Sequence, residues 1–321
     1  MRPTQRIAKG FHKGIAAALG SAVFLGLSPV FGKQAINLGL SPFGVVAIRT
    51  SLAALLLLVV VLTTKRGFFY IYPAGLLGCM LAGGINGLGS LFYYGALGRI
   101  DASLGQLIYS LYPLFVVIWL WMDHQPPSRL TLLRFFLIIP ALYLLTRTEH
   151  TQIDLWGVVM MLVSSALYAL HLPINQRVLY DMPAPTVTLY TLLAMSAVVV
   201  PAFFISKTSL VPGITIAWKP LLGITLVTFL SRLTLFLGVK HLGGLQTAIL
   251  GLGELLITLV ASNIWLGERL SWLQWIGAAL LAISLALIAR EKAAPRTKGG
   301  GGWLSWLRPP GLPKDVAWPP G

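Results

Sequence analysis

The apolar residues of this chain come in blocks of about 20, separated by short polar stretches, and that spacing limits the available folds more than any other feature. A helix of about 20 residues rises about 30 Å, the thickness of a bilayer's hydrocarbon core. Within that core the backbone must satisfy its hydrogen bonds internally, which rules out isolated extended spans. The blocks predict helices over Gly14 to Phe31, Pro42 to Leu62, Pro73 to Leu97, Ala102 to Met122, Leu130 to Leu145, Leu155 to Gln176, Ala184 to Ile205, Trp218 to Val239, Leu245 to Leu266 and Trp272 to Ala289, ten in all. The fifth is the shortest and is interrupted by Pro140. Hydrophobic residues make up 56% of the chain and charged residues 10%, values that argue against a soluble fold. The expected fold class is all-α integral membrane.

An even number of spans puts both termini on one side. The tails carry Arg2, Arg6, Lys9 and Lys13 at one end and the basic residues from Arg290 to Lys314 at the other, while the short loops divide their basic residues evenly. By the positive-inside rule the termini are expected to be cytoplasmic, in a multi-pass protein of the inner or plasma membrane. The net charge of +15 then belongs beside anionic lipid headgroups. No basic stripe with interleaved aromatics points to nucleic acid. The first block is not followed by a small-residue cleavage site, so a retained helix is expected. Cys79 is the single cysteine, which leaves no intrachain disulfide to form and reads as a small core residue.

The chain also repeats itself. "SALYALHLPINQR" at 165–177 echoes "SAVFLGLSPVFGK" at 21–33, setting Ser165 against Ser21, Tyr168 against Phe24, Pro173 against Pro29 and Arg177 against Lys33. "RLSWLQWI" from Arg269 parallels "RLTLLRFF" from Arg129, and "GLGELL" from Gly251 parallels "SLYPLF" from Ser110 more weakly. Five helices over residues 14–145 are therefore expected to recur over 155–289, between a basic N-terminal tail (1–13) and a Gly/Pro-rich C-terminal tail (290–321). The second tail reads as disordered, with "WLSWL" able to dip into the lipid surface. An odd number of spans per copy makes the second enter the membrane from the opposite side, an inverted repeat. Two inverted copies around a midplane cavity suit alternating access.

The small-residue first helix, "LSPFGVVAIRTSLAALLLL" in the second, "LGELL" in the ninth and "WLGERLSWLQWIGAALLAISLALI" at the end of the second copy resemble an EamA-type member of the drug/metabolite transporter superfamily. The resemblance covers about residues 14 to 289. It implies ten helices in two five-helix halves and export or exchange of small metabolites, such as an amino acid or a drug-like compound, with no reaction chemistry. Leu255 stands where the family often has proline, and Ser128 where the first copy often has glutamate. The first departure bears on whether helix nine kinks.

Ionisable residues inside hydrocarbon are costly and therefore candidates for function. Arg49, Arg232 and Glu254 lie well inside spans. Glu254 and Arg232 sit about 14 and 11 Å deep from the same side, on neighbouring helices, so they are expected near one another. Glu254 also matches the family's acidic position. Together they form a proton or cationic-substrate site, with Arg232 as counterion or as a clamp for an anionic group, or else a buried ion pair that fixes packing. Arg49, which matches the family's arginine, lies about 10 Å from the outer edge and reads as structural, its long side chain snorkelling or bonding carbonyls. Asn86, Gln106, Tyr109, Asn175 and Gln246 are neutral candidates for the cavity wall, although interhelical hydrogen bonding explains such residues equally well. Gly83 and Gly87, and Gly244, Gly251 and Gly253, are expected at close helix contacts.

The five histidines are scattered and lack metal-ligand spacing, so neither a metal nor a cofactor is expected. One buried carboxylate cannot assemble a nucleophile, a base and an orienting acid, so the chain does not read as an enzyme. Its expected partners are a small-molecule substrate and the bilayer, with protons and a homodimer both compatible. Export by alternating access is the leading reading. An uncoupled facilitator, a sugar-conjugate carrier of the same fold and a non-transporting scaffold are the alternatives.

Overall fold

A computed structural model describes residues 3–64, 66–122, 129–145, 154–206, 213–267 and 271–287. The tail at 290–321, Ser128 and the Glu-Arg of the turn after Gly267 lie outside the described residues. The regular elements among them are helical: α1 (Pro3–Asn37), α2 (Pro42–Thr64), a 3₁₀ turn (Arg66–Phe69), α3 (Pro73–Leu97), α4 (Ala102–Tyr109), α5 (Tyr112–Met122), α6 (Arg129–Leu145), α7 (Leu155–Leu179), α8 (Ala184–Ile205), the single turn α9 (Gly213–Ile216), α10 (Trp218–Leu242), α11 (Gly244–Gly251), α12 (Gly253–Leu266) and α13 (Trp272–Ala286). Residues 3–13 of the expected tail are helical, and α1 continues to Asn37, well past the apolar block.

Eight helical stretches are long and apolar enough to cross a membrane among the described residues, so the chain is a multi-pass membrane protein. The fifth and tenth expected spans correspond to α6 and α13, which are helical over 17 and 15 residues. Leu55, Val59, Leu77 and Leu226 are exposed on outward faces, where lipid replaces water as the neighbour.

Local chemistry sets the boundaries. Pro42 and Pro73 open their helices, where a missing N–H costs nothing. Asp154 caps α7, its Oδ1 accepting from the backbone N–H of Trp156 at 2.9 Å and of Gly157 at 3.2 Å. Gly243 joins α10 to α11 at φ +91°, a conformation that a residue with a Cβ adopts only under strain.

Two expected helices are broken where the sequence reading made them continuous. Pro113 lacks the N–H that would bond the carbonyl of Tyr109, and the helix divides at Ser110 and Leu111. The Ser165 hydroxyl on α7 donates to that carbonyl at 2.9 Å. In the second half the division falls at Leu252, whose N–H turns to Ile249 O at 3.2 Å. The Ala248 carbonyl accepts instead from the Tyr112 hydroxyl at 2.9 Å. Each break is thus satisfied by a side chain from the opposite half of the chain.

The halves are interleaved. α1 packs along α10 and α12, α3 along α7 and α8, α2 between α8 and α10, and α6 against α13. Glycines permit the closest approaches: a Cβ at Gly83 would lie 2.5 Å from Thr191 O on α8, and one at Gly26 would lie 2.5 Å from Glu254 O on α12. Glu254 is therefore held against α1 in the first turn of a new helix, two residues past the break.

Candidate substrate cavity

Helices α1, α2, α3, α4, α7, α10 and α12 all contribute to a cavity of about 40 Å³ at the centre of the bundle. Its wall comes from both halves. Arg49, Arg232 and Glu254, separated by up to 205 positions in the chain, all line it. They are 5%, 5% and 1% exposed, so the desolvation that makes such charges costly applies in full.

Arg49 extends from α2 into the cavity. Its Nη1 donates to Thr228 Oγ1 at 3.1 Å and its Nη2 to Ser90 Oγ at 3.4 Å, while the guanidinium lies 4.6 Å from the centre of the Tyr94 ring. Its partners are hydroxyls and a ring, where the sequence suggested snorkelling or carbonyl contacts. Thr228 lies one turn before Arg232 on α10, which brings the two guanidiniums to one region of the wall.

Arg232 is held by Asn86. In the amide orientation that satisfies both groups, the Asn86 oxygen accepts from Nη1 and Nη2, each at 3.2 Å. The guanidinium lies 5.7 Å from the centre of the Tyr168 ring, a cation–π arrangement.

Glu254 shares the cavity with Arg232 but is not paired with it. Among the described residues no cation lies within the 4.0 Å of an ion pair from its carboxylate, and Oε1 has no partner. Gln106 lines the same cavity. Gln106 Oε1 accepts from the Tyr93 hydroxyl at 2.9 Å, which leaves its NH₂ group as the donor on this part of the wall. The backbone carbonyls of Glu254 and Gly26 both accept from Thr258 Oγ1, at 2.9 and 2.7 Å, which fixes the start of α12 against α1.

The remaining wall is aromatic. The rings of Tyr94, Tyr93, Tyr109 and Tyr168 follow one another with centroids 5.2, 4.9 and 5.2 Å apart. Tyr94 OH and Ser28 Oγ are 3.2 Å apart and share a hydrogen bond. Behind Tyr168, His171 is fully buried, with Nδ1 hydrogen-bonded to the Tyr168 carbonyl.

Five of the neutral or charged candidates therefore gather here: Glu254, Arg232, Asn86, Gln106 and Tyr109. Asn175 and Gln246 are buried elsewhere, Asn175 Oδ1 accepting from Thr191 Oγ1 at 3.2 Å. Sequence reasoning missed Tyr93, Tyr94, Tyr168 and Ser90, and did not place Arg49 with them. A signal existed for α3: Asn86, Ser90, Tyr93 and Tyr94 recur at helical spacing and form one face.

Outside the spans, Arg99 Nη1 lies 3.2 Å from Asp154 Oδ2. The N–H of Gly157 foremost, and then Arg99, hold the Asp154 carboxyl below its ordinary range.

The family model described as EamA-like transporter family matches the chain twice, over residues 12–147 and 155–290. A solved structure titled "Crystal structure of protein" superposes with a TM-score of 0.69 at 15% identity, covering 88% of this chain and 97% of that one, a likeness of fold. No curated protein matches.

Proposed function

The chain belongs to the EamA-like transporter family, and from that membership we propose that it carries a small organic metabolite outward across the cell membrane by alternating access. The substrate site is the cavity around Arg49, Arg232 and Glu254. The observation that carries this reading is the convergence of three buried charged side chains from α2, α10 and α12 on one cavity walled by both halves. Charge in the membrane interior is costly, and proteins retain it where it meets a substrate, an ion or a proton.

A cavity of about 40 Å³ has room for a few waters at most. Substrate entry therefore requires the helices to part. The breaks at Leu111 and Leu252 lie next to Tyr109 and Glu254 on the wall and supply the points of bending; interrupted helices of this kind surround the sites of many transporters.

In this reading the chain has ten spans in two inverted five-helix repeats, with α6 and α13 as the last span of each and both termini cytoplasmic. Supporting it, α1 packs on α10 as α7 packs on α3. If α7 corresponds to α1 and α10 to α3, these are the same contact made twice. The parallel of "SLYPLF" with "GLGELL" likewise sets Leu111 opposite Leu252, the two places where a helix divides.

Glu254 is the group that couples a proton to the movement of substrate. The test is flux through Glu254→Gln protein in proteoliposomes under an imposed pH gradient. Gradient-driven uptake should fall to that of protein-free vesicles while exchange without a gradient persists. Uptake equal to that of the unmodified protein would take Glu254 out of coupling and leave an uncoupled facilitator.

A further inference from the structure

The cavity holds more buried positive than negative charge. Arg49 and Arg232 stay protonated in proteins, and Glu254 is the one carboxylate among the described residues lining the wall. With Glu254 ionised, two cations face one anion. The donors are also underused: Nε of Arg49 and Nε of Arg232 are both buried without an acceptor. Arg49's remaining bonds go to neutral hydroxyls, and both Nη atoms of Arg232 share a single neutral amide oxygen. Nothing on the wall supplies the missing anion, although a buried charge of this kind demands one.

We infer that the substrate is a small organic monocarboxylate, its carboxylate held between Arg49 and Arg232 and its carbon body laid against the rings of Tyr93, Tyr94, Tyr109 and Tyr168. This deepens the carrier reading and rests on it. A carboxylate's two coplanar oxygens match the guanidinium fork. While Glu254 is ionised a single negative charge neutralises the excess, whereas a phosphate dianion would overshoot it. A cationic substrate would meet two guanidiniums for one carboxylate, and a neutral sugar would leave the excess charge buried. The tyrosine faces offer apolar area that an inorganic anion cannot use.

The probes are phenylacetate and butyrate, with phenylacetamide and butyramide as uncharged counterparts and inorganic phosphate as the bodiless anion. Melting of the purified full chain in detergent reports binding, since a ligand that prefers the folded state raises Tm. Both carboxylates should raise it, and neither the amides nor phosphate should. Arg49→Gln and Arg232→Gln should each weaken carboxylate binding about a hundredfold, the usual consequence of removing one partner of a buried charge pair. Amides that match their acids would overturn the assignment. So would a melt unmoved by either carboxylate, a shift with phosphate alone, or a carboxylate shift that survives in the double Gln variant. Should a Gln variant fail to fold, the acid–amide comparison on the unmodified protein decides. Labelled phenylacetate in proteoliposomes separates the two readings. Binding without flux would sink the carrier and keep the site, whereas flux of the amide as fast as the acid would sink the site and keep the carrier.

Discussion

Among the described residues Asn86 gives Arg232 its only acceptor, so the Asn86→Leu variant leaves a guanidinium buried beside the Tyr168 ring with its donors unmet. Loss of a buried partner to a charged group costs at least about 1–3 kcal/mol, and the expected readout is a Tm several degrees lower with the helical circular dichroism preserved. Asp154 behaves differently because it is exposed. Its carboxyl releases a proton more readily in the folded protein than in the unfolded chain, held by the Gly157 N–H and then by Arg99. The unfolded state thus binds more protons in acid. The resulting stability is fully present above the ordinary aspartate pKa of about 4 and is lost as pH falls through the lower folded value. Melting curves from neutral pH down to about pH 2 should therefore drop less steeply for Asp154→Asn than for the unmodified protein. A carboxylate or guanidinium in an apolar run is conspicuous, which is why Glu254 and Arg232 were legible in the sequence. Tyrosines in such a run are not, because the same letters serve a lipid-facing belt, a packed core or a cavity wall, and only helix rotation tells them apart.

Helix existence followed from block length, but helix continuity did not. Pro113 is a readable signal for the first break, since it removes the donor for Tyr109 O. The second break has no proline: Leu255 stands where the family often has one, yet the helix still divides at Leu252, between two glycines. What fixes it is tertiary, the Tyr112 hydroxyl taking over the Ala248 carbonyl. The close approach of α1 to α12 can be tested with two glycines on one helix. A Cβ at Gly26 would meet Glu254 O at 2.5 Å and Ile257 Cβ at 2.7 Å, whereas one at Gly20 meets nothing within 4 Å. Gly20→Ala should stabilise by about 0.5–1 kcal/mol through the helix's preference for alanine. Gly26→Ala should destabilise by about 1–3 kcal/mol, since backbone and not a flexible side-chain end must yield. Opposite signs in paired melts are the expected result, and Gly26→Ala should also slow gradient-driven flux by displacing Glu254.

Alternating access asks that each end of the bundle be able to close, and hydrogen bonds that fasten a helix to a neighbouring turn or helix start are found at both. At one end Lys33 Nζ donates to Leu97 O at 2.9 Å and Ile100 O at 3.0 Å, tying α1 to the turn after α3, and Arg99 pairs with Asp154 at the start of α7. About 33 Å further along α7, Gln176 Oε1 accepts from Gly244 N at 2.7 Å and ties α7 to the start of α11. Lys33 and Gln176 occupy nearly corresponding places in the two halves, so each end is fastened by the last turns of a first helix. Releasing one end while the other holds would expose the cavity to one side at a time. Cysteines at Arg99 and Asp154, placed in a Cys79→Ala background, allow that end to be fastened with a short reducible thiol cross-linker. Cys79 is buried, so its removal is a small packing change. Cross-linked protein in proteoliposomes should lose flux and regain it on reduction, with ligand-induced shifts in Tm persisting because the cavity itself is untouched. Undiminished flux through the cross-linked protein would mean that this end never opens, and that a substrate leaving the cavity takes some path other than the one between α3 and α7.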